Sequence, residues 1–142
     1  MTTAAASPRI LVVDDEPDVA TYLAVALEDH GFDVVCAHDA AGVDSEVENH
    51  PPDLVCLDLV MPGDSGLRLY SELRRNPGVG NRPILMVSGV SDGAALVDGV
   101  LREHHLPPPQ GFLEKPVDIE ALVARIREVL ESGEAPPTEE AS

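Results

Sequence analysis

Five apolar runs of four or five residues punctuate the chain, at residues 9–13, 33–37, 54–57, 84–87 and 111–114, with helical spacing in most of the gaps between them. Runs this short, rich in Val, Ile and Leu and with little polar alternation, suit strands that are covered on both faces. Their alternation with helices predicts an α/β fold in which a parallel sheet is packed between helical layers.

The residues that follow these runs are equally informative. Ile10-Leu11-Val12-Val13 leads into Asp14-Asp15-Glu16, and Leu54-Val55-Cys56-Leu57 ends on Asp58, followed by Leu59-Val60-Met61-Pro62-Gly63. Ile84-Leu85-Met86-Val87 leads to Ser88-Gly89, and Gly111-Phe112-Leu113-Glu114 to Lys115-Pro116. In open parallel sheets the functional crevice lies beyond the carboxyl ends of the strands, where the strand order reverses. Acids, a hydroxyl and an ammonium are therefore expected along one edge.

The first helix has the clearest pattern, with Val19, Tyr22, Leu23, Ala26 and Leu27 expected on one buried face, Pro17 in its first turn and Gly31 at its C-terminal cap. In the last helix Ile119, Leu122, Val123, Ile126 and Leu130 form a stripe after Asp118, a candidate N-cap. Residues 39–49 show only Ala40, Val43 and Val47, and a helix over 91–103 carries Gly93 and Gly99, each costing about 1 kcal/mol relative to Ala. This helix is expected to be the most mobile. The segment His104-His105-Leu106-Pro107-Pro108-Pro109-Gln110 predicts a stiff, extended connection, its histidines facing solvent.

At 142 residues the chain accommodates one domain, expected over 9–131, between a disordered tail at 1–8 and a disordered acidic tail or linker stub at 132–142. A formal charge of −17 with only nine Lys and Arg argues against a direct nucleic-acid surface. No apolar stretch reaches membrane-spanning length and the N-terminus lacks a signal-peptide pattern, so a cytoplasmic protein is expected. Cys36 and Cys56 sit within apolar runs without metal-ligand spacing and read as small buried hydrophobes.

Asp14, Asp15 and Asp58 would bring several carboxylates close together, which like-charge repulsion disfavours unless a cation neutralises them. Hard oxygens of this kind select Mg²⁺ or Mn²⁺. Each piece taken alone has a plainer reading. The acids could favour a helix N-terminus, Asp58 could cap a turn, Ser88 could cap the next helix, and Lys115 could be a surface lysine.

Taken together and in this order, the acid pair, lone Asp, Ser and Lys-Pro resemble the receiver domain of bacterial two-component response regulators, from about Arg9 to Leu130. The resemblance implies a flavodoxin-like, doubly wound sheet of five parallel strands in the order 2-1-3-4-5. It implies that Asp58 is the phosphoacceptor, that Asp15, Asp58 and the Val60 backbone carbonyl ligate the metal ion, and that Asp14 assists through water. Lys115 would pair with Asp58 at rest and with a phosphoryl oxygen after transfer. Ser88 would turn toward the new phosphoryl group and Phe112 would swing inward, so that the 91–103 helix, the last strand and the last helix form the surface that partners read. The implied partners are a histidine kinase or histidine phosphotransfer protein and a downstream protein.

Two departures from the family pattern stand out: the interval from Ser88 to Lys115 is several residues longer than usual, and Phe112 lacks a tyrosine's hydroxyl. Val60 and Val90 occupy the positions that flank the attacking water in receivers, which implies a long-lived phosphorylated state. The expected function is a stand-alone phosphoacceptor switch that assists its own phosphoryl transfer and autodephosphorylation. Its alternatives are the receiver half of a larger regulator and an Asp-nucleophile phosphatase. Such phosphatases typically need a second acid two residues after the nucleophile, where this chain has Val60.

Overall fold

The computed structural model describes residues 7–58, 66–80, 82–88, 102, 103, 105 and 109–132, the side chains of residues 66, 67, 88 and 132 excepted. The elements are β1 (Arg9–Val13), α1 (Pro17–Asp29), β2 (Asp33–Ala37), α2 (Ala40–Asn49), β3 (Leu54–Asp58), α3 (Gly66–Arg75), β4 (Ile84–Ser88), β5 (Gly111–Glu114) and α4 (Ile119–Ser132). All strand pairs are parallel and the sheet runs β2-β1-β3-β4-β5, the order expected. Residues 91–101 of the expected helix, most of the proline-rich connection and the tails at 1–6 and 133–142 lie outside the described residues.

The two-residue period of the strands divides the core into two layers. Leu11, Val13, Val55, Leu57, Ile84 and Met86 face Val43 and Val47 of α2 and Leu69, Tyr70 and Leu73 of α3. Ile10, Val12, Leu54, Cys56 and Leu85 face Ala20, Leu23 and Leu27 of α1 and Leu122, Val123, Ile126 and Val129 of α4. Each fully buried Leu or Ile contributes roughly 1.5–3 kcal/mol through removal from water.

Helix ends follow local chemistry. The Asp39 side chain accepts the Gly42 N–H at 2.8 Å and caps α2. At the end of α1, Gly31 adopts φ +94°, its N–H donates to the Glu28 carbonyl, and the Phe32 N–H donates to the Leu27 carbonyl. This doubly bonded turn requires a left-handed residue, which Gly supplies without a Cβ penalty. Phe32 then packs in the same layer as Leu27.

One residue of the α1 stripe is corrected. Tyr22 is 59% exposed, because the buried face is centred on Ala20, Leu23 and Leu27, roughly 130° around the helix from it. In α4, Val129 joins the buried stripe, while Leu130 is only partly covered. The helix α3 was not among those expected from spacing: its buried residues Leu69, Tyr70 and Leu73 form too short a stripe to stand out.

Arginines link the amino edge of the sheet from one side to the other. Arg9 pairs with Asp33 at 2.9 Å and its backbone N–H donates to Asp53, which Arg82 approaches at 3.4 Å while donating to the Pro52 carbonyl. Arg74 of α3 donates to the carbonyls of Gly80 and Arg82, to the Tyr70 hydroxyl and to Gln110 Oε1. Arg125 of α4 completes the line by donating to the Gln110 carbonyl. The planar, multi-donor guanidinium suits such carbonyl-rich strand starts.

Candidate functional site

At the opposite edge, the ends of β1 and β3 meet at the point where the strand order reverses. Asp14 and Asp58 are buried there, at 2% and 4% exposure, whereas Asp15 is half-buried. Each of the three offers a carboxylate oxygen within 4.8 Å of the others. Lys115, the only lysine in the chain, follows β5 and reaches back to this cluster. Its Nζ lies 3.3 Å from Asp14 Oδ2 and 3.4 Å from Asp58 Oδ2.

The expected pairing with Asp58 is therefore accompanied by a contact with Asp14 that the sequence did not indicate. The signal lay in the pleat: Asp14 continues the phase of Ile10 and Val12, Asp58 that of Leu54 and Cys56, and Lys115 that of Leu113, all on the α1–α4 side. Asp14 is held further by the Glu16 N–H, which donates to Oδ1 at 3.0 Å. Its backbone N–H donates to the Ala37 carbonyl, and its carbonyl lies 3.0 Å from His38 Nδ1.

Partial burial acts to lower the Lys115 pKa, but the charges of Asp58 and Asp14 and the hydrogen bonds to both outweigh it, so the ammonium is held above its ordinary value. Among the described residues, Asp14 and Asp58 share the Lys115 ammonium, and the Asp15 carboxylate lies beside them. This hard-oxygen cluster is compatible with a divalent metal site.

Ser88 ends β4 opposite Glu114, in the strand adjoining the one that carries Asp58. Its side chain, together with Val60, Gly89 and Val90, lies outside the described residues. Phe112 pairs with Met86 in register and is 37% exposed. Cys56 is buried and its thiol is pushed up to about 12 by desolvation, which suits a packing residue. Cys36 is only half-buried, since it lies on the edge strand β2.

A model of the response regulator receiver domain matches residues 10–127. The chain belongs to this family. This receiver is 36% identical over 131 residues to the DNA-binding response regulator MtrA of Mycolicibacterium smegmatis, a match covering 92% of the chain and 54% of MtrA. It thus spans about half the length of the first curated relatives. Protein Rrf1 of Nitratidesulfovibrio vulgaris is 34% identical over 122 residues, with 86% and 82% of the two chains covered. Among solved structures, a sensor protein from Polaromonas sp. JS666 superposes with a TM-score of 0.76 at 30% identity, covering 88% of this receiver and 97% of that chain. A CheY-like receiver domain protein from Methanospirillum hungatei shares the fold, with a TM-score of 0.76 at 23% identity and coverage of 89% and 95%.

Proposed function

We propose that this receiver takes a phosphoryl group onto Asp58 from a phosphohistidine on a histidine kinase or histidine phosphotransfer protein. The observation that carries this reading is the convergence of Asp14, Asp15 and Asp58 beneath the single Lys115. A carboxylate oxygen of Asp58 attacks phosphorus as the P–N bond breaks. The bond pair stays on the imidazole nitrogen, which takes up a proton, and Asp58 becomes an acyl phosphate. Lys115 is poised beside the same carboxylate and can exchange Asp58 for a phosphoryl oxygen, so the step is chiefly positioning and charge compensation.

The donor set fits a hard divalent cation, and Mg²⁺ or Mn²⁺ would be held by Asp15, Asp58 and the Val60 carbonyl, with Asp14 acting through water. Bound there, the ion supplies neutralisation of the charge on the phosphoryl oxygens. Ser88 then hydrogen-bonds the new group and Phe112 moves inward by apolar packing, changing contacts with a downstream protein. Val60 and Val90 stand at the sequence positions that flank the attacking water in receivers and offer no group to hold it, so the acyl phosphate is long-lived and ends mainly through back-transfer or a dedicated phosphatase. The setting is the cytoplasm, without direct nucleic-acid contact by this domain.

The test is intact-mass analysis after incubation with Mg²⁺ and either phosphohistidine donor or acetyl phosphate. Wild type should gain one phosphoryl group and Asp58→Asn none; equal labelling of the two would sink the assignment. A second reading, the receiver half of a longer regulator, is favoured by the match to about half of MtrA. The length of the native open reading frame decides between the two.

A further inference from the structure

The strand that delivers Lys115 is the shortest of the five. β5 has four residues, lies at the edge, and is preceded by a proline-rich connection. A slip of one residue would exchange its faces, and a slip of two would carry Lys115 about 6–7 Å along the strand. Either would separate its Nζ from the oxygens that it meets at 3.3 and 3.4 Å.

We propose that Gln110 is a positioning residue that fixes the register of β5 and so delivers Lys115 to Asp14 and Asp58. The proposal rests on the role given to Lys115 above. Gln110 engages both backbone polar groups of Ile84, the first residue of β4: its N–H donates to the Ile84 carbonyl at 2.9 Å, and its Oε1 accepts the Ile84 N–H at 2.8 Å. That same Oε1 accepts from Arg74 at 3.1 Å, while the Gln110 carbonyl accepts from Arg125 at 2.9 Å. Arg74 is itself oriented by Tyr70, Gly80 and Arg82, so the anchor is tied to α3 and to the segment leading into β4.

The neighbouring sequence disfavours the alternatives. A shift in one direction would set Pro109 or Pro108 opposite Ile84, and neither has an N–H to donate. Gly111, next in the strand, leaves room for the Arg125 guanidinium, which a Cβ there would meet at 2.9 Å from Nε and displace. Gln110 Nε2, by contrast, is buried with no hydrogen-bond partner among the described residues. The side chain thus works through its oxygen alone, which makes Glu its conservative replacement: a carboxylate keeps the acceptor and gains the charge of Arg74 as a partner.

The test uses the full chain, with Gln110→Leu, Gln110→Glu, Lys115→Ala and the Gln110→Leu/Lys115→Ala double variant. The initial rate of phosphorylation by acetyl phosphate at saturating Mg²⁺ is measured alongside the unfolding midpoint. Gln110→Leu should slow uptake about tenfold while folded, and Gln110→Glu should stay within about twofold of wild type. The double variant should be no slower than Lys115→Ala, since an effect exerted through Lys115 cannot add to its removal. A folded Gln110→Leu protein that takes up phosphoryl at the wild-type rate, or a loss that multiplies with Lys115→Ala, would overturn the proposal. Should Gln110→Leu fail to fold, Gln110→Met, which keeps the side-chain length but offers no oxygen to the Ile84 N–H or to Arg74, takes its place in the cycle, with the same outcomes. A wild type that takes up no phosphoryl group, or a Lys115→Ala protein as fast as wild type, would instead refute the underlying reading of the site.

Discussion

Along the amino edge of the sheet, arginines are matched locally by carboxylates and carbonyls: Arg9 by Asp33, Arg82 by Asp53 and Pro52, Arg74 by Gly80 and Arg82, and Arg125 by Gln110. At the carboxyl edge three carboxylates cluster, and Lys115 reaches two of them, Asp14 and Asp58. The first arrangement satisfies the polar groups where strands begin and favours the folded state. The second leaves like charges close together, so that edge carries an electrostatic cost relieved only when something positive arrives. Stability and responsiveness are thus assigned to opposite ends of the same strands.

Substitutions on the two sides should separate rate from stability. Lys115→Ala should slow phosphoryl uptake by about a hundredfold, as expected on removing a preorganised charge from a transferring group. Arg9→Ala, at the other edge, should leave the rate unchanged in the same acetyl phosphate assay. Comparable slowing by both would mean that the edges are not distinct.

Next in size, Arg74→Ala should cost about 2 kcal/mol in urea unfolding, because several carbonyl and side-chain acceptors lose their donor together. Asp15→Asn should act with the opposite sign in Mg²⁺-free buffer, stabilising by about 0.5–1 kcal/mol as like-charge repulsion falls. In the same variant, calorimetric titration should show a large loss of Mg²⁺ affinity. Destabilisation of the Mg²⁺-free protein by Asp15→Asn would refute the claim of an electrostatic cost at the carboxyl edge.

The smallest effect is alkaline. Because Lys115 is held above its ordinary value near 10.5, its stabilising contribution is fully present below that pH and is lost as pH rises through the higher folded value. Burial raises Tyr70 and Cys56 as well, so they add to the alkaline decline. The contribution of Lys115 is the part missing from Lys115→Met when urea midpoints are compared at pH 9 and pH 11.5. Identical declines in the two proteins would remove the site from the explanation.

Much of this contrast was legible in the residues themselves. Strand positions and the gathering of acids and a lysine at one edge follow from apolar runs and what terminates them, which are local, whereas the non-local sheet order was implied only by the family resemblance. Tyr22 was misplaced because the buried face of α1 is turned toward the small Ala20, which the spacing of the larger apolar residues does not mark. The amino-edge arginines escaped notice for a different reason: Arg9, Arg74, Arg82 and Arg125 share no spacing, and their partners are largely backbone carbonyls that every residue carries. Gln110 likewise looked like the end of a proline loop, and only the fold reveals that it sits opposite Ile84.

The presence of a single lysine makes this a chain with one side-chain amine, located in the site itself. All its other fixed positive charges are guanidinium groups, which resist acylation under mild conditions. An amine-directed reagent would therefore find only Lys115 and the chain terminus, and the extent of acylation at Lys115 would report how firmly Asp14 and Asp58 shield it. Acylation of that one nitrogen would remove the sole ammonium from the carboxyl edge while leaving the arginines of the opposite edge untouched.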